Sequence, residues 1–148
     1  MSNKEKIIEI KRFDKSVPLP EYKTKGAAAF DLCSRINVEI PPKELKYVPL
    51  NVAVQTPPGY FLLLVARSSN HKKGLWMANG VGIGDSDFSG DDDEYMAVYY
   101  NFTDKPVLVE KGERIAQGLI IKREDIKWNE VDKMKNKTRG GWGTTGNK

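Results

Sequence analysis

Apolar positions along this chain come in short runs broken by Gly, Pro, Asn and Asp, with turn signals about every 8–12 residues. Ile7 to Ile10, with Phe13, read as an opening strand, after which Pro18 and Pro20 impose an extended link. Residues 26–34 (GAAAFDLCS) are small and apolar except for Asp31, and they lead into residues 36–40 (INVEI), whose alternation predicts a half-buried strand ended by Pro41 and Pro42. Residues 46–54 predict a strand pair turning at Asn51, and residues 56–60 (TPPGY) a tight turn. The run at 61–66 (FLLLVA) is continuous, apolar and of strand length, and is expected to be fully buried. Residues 95–102 (YMAVYYNF), 107–109 and 115–121 complete the strands, and 122–125 is the one place where a short helix is expected. No amphipathic helix longer than about two turns is evident, so the pattern predicts an all-β, jelly-roll-like antiparallel sandwich or barrel.

Between two of these runs lies residues 79–94 (NGVGIGDSDFSGDDDE), where glycines alternate with carboxylates around a single ring, Phe88. Gly80, Gly82, Gly84 and Gly90 allow a close backbone approach, and Asp85 and Asp87 stand at a bend where a carboxylate can serve as a general base. A tight backbone, an acid and a ring suit a pocket for a small cyclic molecule; a solvated Gly/Asp-rich turn is the plainer reading of the run alone. The end of the chain, 133–148 (KMKNKTRGGWGTTGNK), has the composition of a flexible arm, leaving residues 1–132 as one barrel domain. Yet Arg139, Trp142, Gly143, Thr144 and Thr145 are the parts of a phosphate clamp with a stacking lid.

Length and charge narrow the partners. A chain of 148 residues holds one domain with a true core. The single cysteine, Cys33, excludes an internal disulfide and a cysteine-based zinc site, and reads as a small core thiol. The charged opening lacks the apolar stretch of a secretory signal, and nothing approaches the roughly 18 apolar residues of a membrane span, so a cytoplasmic protein with no membrane partner is expected. The net charge of +4 is unevenly spread: six carboxylates crowd 85–94, while Lys133, Lys135, Lys137, Arg139 and Lys148 lie in the tail. An acidic pocket with a basic arm suits a small phosphorylated ligand with a divalent cation better than nucleic acid.

Five short motifs, residues 26–34 (GAAAFDLCS), 67–75 (RSSNHKKGL), 79–90 (NGVGIGDSDFSG), 112–117 (GERIAQ) and 139–146 (RGGWGTTG), resemble those of the trimeric deoxyuridine triphosphate nucleotidohydrolases, the dUTPases, and stand in that family's order. The resemblance implies a jelly-roll-like β-barrel of the β-clip type, a homotrimer with active sites at subunit junctions, each completed by a neighbour's C-terminal arm. It implies hydrolysis of dUTP to dUMP and pyrophosphate with magnesium, with Asp85 as the base that activates a water toward the α-phosphorus. Asp31 would act on the magnesium indirectly, through water. Ser68, Ser69 and Gln117 would hydrogen-bond phosphate oxygens, and Arg139, helped by Gly143, Thr144 and Thr145, would grip the γ-phosphate. Arg67 is open between substrate contact and a structural partner for a buried carboxylate; Arg114 is expected to be structural. Asn79, with the backbone through Gly82 and Ile83 to Gly84, would read the uracil edge, Phe88 would lie under the deoxyribose, and Trp142 would close over the base.

The chain departs from the family's usual motifs at several points. Gly84 stands where Ile usually precedes the base, Phe88 where Tyr is usual, Trp142 for the commoner Phe and Ala66 for Pro, and the third motif's GE ending is expanded to residues 90–94 (GDDDE). Three other readings compete. A deoxycytidine triphosphate deaminase would need a carboxylate about three residues before Asn101, where Val98 stands. A nucleotide-binding trimer that has lost its chemistry would bind dUTP without releasing pyrophosphate. A calcium loop over 85–94 lacks the EF-hand spacing.

Overall fold

The computed structural model of the protein describes residues 5–146. Eleven strands are present among them: β1 (Glu9–Arg12), β2 (Phe30–Cys33), β3 (Val38–Ile40), β4 (Leu45–Pro49), β5 (Val52–Gln55), β6 (Tyr60–Ala66), β7 (Leu75–Met77), β8 (Val81–Gly84), β9 (Met96–Asn101), β10 (Val107–Val109) and β11 (Arg114–Lys122), with one 3-10 turn at Asn70–Lys73. Every strand pairing is antiparallel. The four-stranded sheet runs β2-β11-β6-β8, a three-stranded sheet runs β4-β9-β7, and β1-β5 and β10-β3 form two-stranded ribbons. Their inward faces share one core that includes Leu32, Ile40, Val48, Val52, Leu62, Leu75, Tyr99, Val109 and Ile115. This is the all-β, jelly-roll-like architecture that the spacing of the runs predicts.

The turns follow local chemistry. Asn51 joins β4 to β5 with φ 71°, a left-handed conformation that Asn tolerates. Its side chain locks the turn: Nδ2 donates to the Asp14 carbonyl (3.0 Å) and Oδ1 accepts from the Asp14 amide (2.7 Å). Gly74 caps the 3-10 turn with φ 86°, and a Cβ there would come within 2.2 Å of Thr103 Cγ2. Asn101, fully buried, spends all four of its bonding positions. It donates to the carbonyls of Ile40 (2.9 Å) and Lys105 (2.7 Å) and accepts from the Thr103 amide (2.9 Å) and hydroxyl (2.7 Å).

Two expectations are corrected. The 61–66 run is buried only at Leu62 and Leu64, while Phe61, Leu63 and Val65 are half-buried, because β6 covers the core with one face and turns the other outward. The outward row continues through Ile83, opposite Leu63, and Val81, opposite Val65, both exposed. Residues 122–125 form no helix: β11 runs on to Lys122, the Arg123 amide donates to the Gly59 carbonyl (2.7 Å), and the chain beyond is extended and exposed. Strands β7, three residues, and β8, four residues of which two are glycine, carry too little periodicity to announce themselves in the sequence. No helix among the described residues is long and apolar enough to cross a membrane.

Candidate active site

Strand β8 is the edge of its sheet: it pairs with β6 on one side only, so the other side of its backbone is left to a ligand. It delivers Asp85 immediately after its last residue, and the chain then turns tightly, the Phe88 amide donating to the Asp85 carbonyl (3.1 Å). A cleft of about 520 Å³ opens here, lined by Gly82, Ile83, Asp85 and Phe88 from the hairpin and by Tyr47, Tyr95 and Met96 beneath it. Asp92 and Glu94 complete its acidic side, and a cleft of that size with a few carboxylates among several apolar faces fits a small cyclic ligand. Asp85 and Phe88 are both exposed in the single chain. Asn79 is exposed at the approach to β8, where Gly80 (φ 74°) makes the turn.

The acid-rich loop that follows is sorted by burial. Glu94 is buried and takes a two-pronged grip from Arg35, whose Nε donates to Oε1 (2.6 Å) and Nη2 to Oε2 (3.1 Å), while Oε1 also accepts from the Asn51 amide (3.0 Å). Glu94 is therefore the structural acid of the expanded GDDDE segment, and the bond holds the Arg35 guanidinium above its usual pKa. Asp91 and Asp92 are exposed; Lys11 Nζ donates to the Asp91 carbonyl (2.7 Å). Asp93 Oδ2 accepts from the Gly90 amide (2.7 Å) and so closes the loop.

Tyr95, which in the sequence is one more aromatic residue of the 95–102 run, packs directly under the hairpin. Its ring meets Phe88 edge-on, with centroids 5.3 Å apart and planes at 78°. Its hydroxyl is buried without a hydrogen-bond partner. Burial, then the negative charges of Asp85 and Asp93, push its pKa up to about 12. The signal for it in the sequence is indirect: a glycine before Asp85 leaves room that some other residue must fill.

A second cluster sits at the far end of β6. Asp31 on β2 is clamped by two guanidinium groups, Arg67 Nε on Oδ1 (3.0 Å) and Arg114 Nη1 on Oδ2 (3.0 Å), and Arg67 Nη1 also donates to the Arg114 carbonyl (2.9 Å). Gln117, opposite both Asp31 and Val65, donates to the Ala66 carbonyl (2.9 Å). Ser68 and Ser69 follow Arg67, exposed, and lead into the 3-10 turn; its Asn70 side chain donates to the Ile115 carbonyl (2.9 Å), fixing the loop. Cys33 nearby is half-buried, and burial, with the Asp31 charge, raises its thiol pKa.

The third group is the end of the chain. Residues 122–140 are all exposed, Arg139 included, and Trp142 stands fully in solvent at φ 54°. Locally, Thr144 Oγ1 accepts from the Gly141 amide (2.7 Å), and the Thr144 amide donates to the Gly141 carbonyl (3.1 Å). Gly143 takes φ 88° in the same turn. Lys148 lies outside the described residues.

One chain does not bring these groups together. Gly84 pairs with Leu62 near the start of β6, and Arg67 follows the end of that strand. At about 3.3 Å per residue, Asp85 and Arg67 lie roughly 15–20 Å apart along the sheet.

Nor do the residues present fit a directly bound metal. Both oxygens of Asp31 are engaged by arginines, and among the described residues no group of three His, Cys, Asp or Glu side chains could hold an ion.

The fold and the edge-strand cleft define the class, an all-β, jelly-roll-like barrel with an acid-and-ring hairpin site. Comparison with known proteins makes it specific. The sequence profile of the dUTPase family matches residues 15–146. A deoxyuridine 5'-triphosphate nucleotidohydrolase of Dictyoglomus turgidum is 40% identical over 144 residues, spanning 93% of this chain and 96% of the relative. One from Hahella chejuensis is 35% identical over 144 residues, 93% of each chain. The crystal structure of the dUTPase from Streptococcus mutans superposes with a TM-score of 0.74 at 33% identity, covering 82% of this chain and 98% of that one. The Staphylococcus bacteriophage 80alpha dUTPase with dUPNHPP, 24% identical, has a TM-score of 0.81 over 96% of this chain and shares the fold. The chain belongs to the dUTPase family.

Proposed function

We propose that the protein is a dUTP diphosphatase: it hydrolyses dUTP to dUMP and pyrophosphate at sites assembled from more than one copy of the chain. The observation that carries this reading is the separation just described. The hairpin that presents Asp85 and the cluster formed by Ser68 and Ser69 after β6 and Gln117 on β11 are too far apart for one triphosphate group to touch both in a single chain. A homotrimer joins one copy's hairpin to another's loop. The exposed outer row of Val81 and Ile83, continuous with half-buried Leu63 and Val65, is apolar surface that a second copy would cover. The arm, residues 133–148 on this reading, supplies the last part, with Arg139, Gly143 and Thr144 on the phosphates and Trp142 over the base; Arg139, Trp142, Gly143 and Thr144 are all exposed in the single chain.

The chemistry follows from the parts. Asp85 accepts a proton from a water; that water's oxygen bonds to the α-phosphorus, the bond from the α-phosphorus to its bridging oxygen breaks, and pyrophosphate leaves. The free side of β8 pairs with the uracil edge as a neighbouring strand would, and fixed backbone groups cannot rotate to suit cytosine, which leaves groups unpaired at a cost of about 1–3 kcal/mol each. The Phe88 ring packs against the sugar. Arg67 and Arg114 hold Asp31, and through it the loop carrying Ser68 and Ser69, so the structural reading of Arg67 is the better supported. Magnesium, when bound, would neutralise phosphate charge, and Asp31, both of whose oxygens are held by arginines, would act on it only through water.

The test is pyrophosphate release from dUTP, dCTP, dTTP and UTP, with Asp85→Asn beside the wild type. Release from dUTP alone is expected, with turnover abolished in Asp85→Asn and binding of a non-hydrolysable dUTP analogue retained. Loss of binding together with turnover would make Asp85 structural, and ammonia from dCTP would overturn the reading.

A further inference from the structure

Gly84 precedes the base on β8, yet its backbone does not require glycine: it lies outside the left-handed region and pairs with Leu62 as an ordinary strand residue. What excludes a side chain is Tyr95. A Cβ on Gly84 would stand 2.3 Å from the Tyr95 hydroxyl oxygen, 2.6 Å from Cε1 and 2.8 Å from Cζ, contacts that real Cβ atoms do not make. Nor is Tyr95 free to retreat. Its amide donates to the Val52 carbonyl (2.9 Å), its carbonyl accepts from the Leu50 amide (2.8 Å), the residue is 5% exposed, and the preceding residue is Glu94, clasped by Arg35. The ring thus spans from the rigid turn between β4 and β5 to the last residue of β8, and there touches Phe88.

We propose that Tyr95 is a positioning residue for Asp85: its ring occupies the space that a side chain at position 84 would fill, and this large-for-small exchange sets the hairpin that presents Asp85 and Phe88. Gly84 is then not a loosened version of the site. The volume at position 84 is supplied by Tyr95, the residue just before β9, which keeps the hairpin packed while leaving its edge backbone clear. The unpartnered hydroxyl fits this account, because its place above the Gly84 Cα is dictated by the ring's reach and not by a bond of its own. The inference rests on the assignment of Asp85 as the base.

Four proteins test it: wild type, Gly84→Ile, Tyr95→Ala and the double variant, assayed for dUTP turnover, for binding of a non-hydrolysable dUTP analogue and for melting temperature. Each single change is expected to lower kcat about 100-fold, the loss that a displacement of about 1 Å at a reacting group produces, with a smaller effect on analogue binding. The double variant is expected to return to within about tenfold of wild type, whereas independent effects would multiply to about 10,000-fold. Tyr95→Phe, which keeps the ring, should recover most of the loss seen in Tyr95→Ala. Gly84→Ile with wild-type kcat, or a double variant no better than the worse single, overturns the proposal. If Gly84→Ile alone does not fold, a folded and active double variant supports the pairing and an unfolded one sinks it. The melting temperatures must show the same compensation; that readout needs no turnover, so failure of this pairing and failure of the dUTP assignment are separable.

Discussion

Glu94→Ala should be among the most damaging single changes near the cleft, although its neighbours Asp91 and Asp92 are expendable. The Glu94 side chain is 7% exposed and carries three bonds, two from Arg35 and one from the Asn51 amide. Removing one member of a buried ion pair costs about 3–5 kcal/mol, but Arg35 keeps 33% of its side chain in water and can be rehydrated, which brings that part to about 2–3 kcal/mol. The orphaned Asn51 amide adds about 1 kcal/mol, and it sits in the left-handed turn between β4 and β5. The total, about 3–4 kcal/mol, corresponds to a fall of roughly 10 °C in melting temperature for a chain of this size. Thermal unfolding followed by circular dichroism at one fixed protein concentration measures it, with Asp92→Ala as the exposed comparison, expected to stay within about 0.5 kcal/mol of wild type. Glu94→Gln, which keeps an acceptor but loses the charge, should fall between. If Glu94→Ala melts no lower than Asp92→Ala, the assignment of Glu94 as the structural acid of the loop is wrong.

Further outcomes follow from other parts of the structure. On the proposed arm assignment, a chain ending before Arg139 would lose several charge-assisted phosphate contacts, each worth about 1.5–3 kcal/mol, so kcat/KM for dUTP should fall by at least about 100-fold. Its melting temperature should not move, because Arg139, Gly140 and residues 142–146 are exposed; full activity would refute the arm assignment. Asn101→Ala strands two carbonyls and the Thr103 groups, and should cost about 3 kcal/mol or more in urea unfolding; a change under 1 kcal/mol would contradict the four bonds described. The bond from Lys111 Nζ to Asp14 Oδ2 (2.6 Å), followed by those from Ser16, holds the Asp14 carboxyl well below its ordinary 3.8. A depressed carboxylate pKa stabilises the fold above the unfolded value and loses that contribution as pH falls, so stability should decline below about pH 4 and Asp14→Asn should flatten the decline. An unchanged acid limb in Asp14→Asn would show that other groups set it.

Much of the architecture was legible because the strand signals are local. The tight turn at 56–60, the Asn51 turn and the apolar runs each declare themselves within a few residues, and antiparallel strands need only short connections. The five motifs were legible for the same reason, as short strings of turn-forming and polar residues. What failed were features that depend on which face of a strand is covered. The 61–66 run looks uniformly apolar, but only Leu62 and Leu64 face the core, and period-two geometry cannot tell burial by this chain from burial by another. Strand β8 looks like a glycine-rich turn, since its strand character comes from pairing with β6 and not from its own residues. The helix expected at 122–125 is absent because β11 continues in register with β6 to Lys122 and the chain leaves extended.

By itself the amino-acid order settled the all-β class, the family and the chemical types available: a carboxylate beside a ring, hydroxyls and an amide for phosphate, and an arm with a guanidinium and an indole. Those are one-dimensional properties, written as composition and spacing. Which of four adjacent acids is buried, why position 84 is empty of a side chain, and how far Asp85 stands from Arg67 were decided only when the strands paired. Each is a distance between residues far apart in the chain, set by packing across the sheets and not by any neighbour in the sequence.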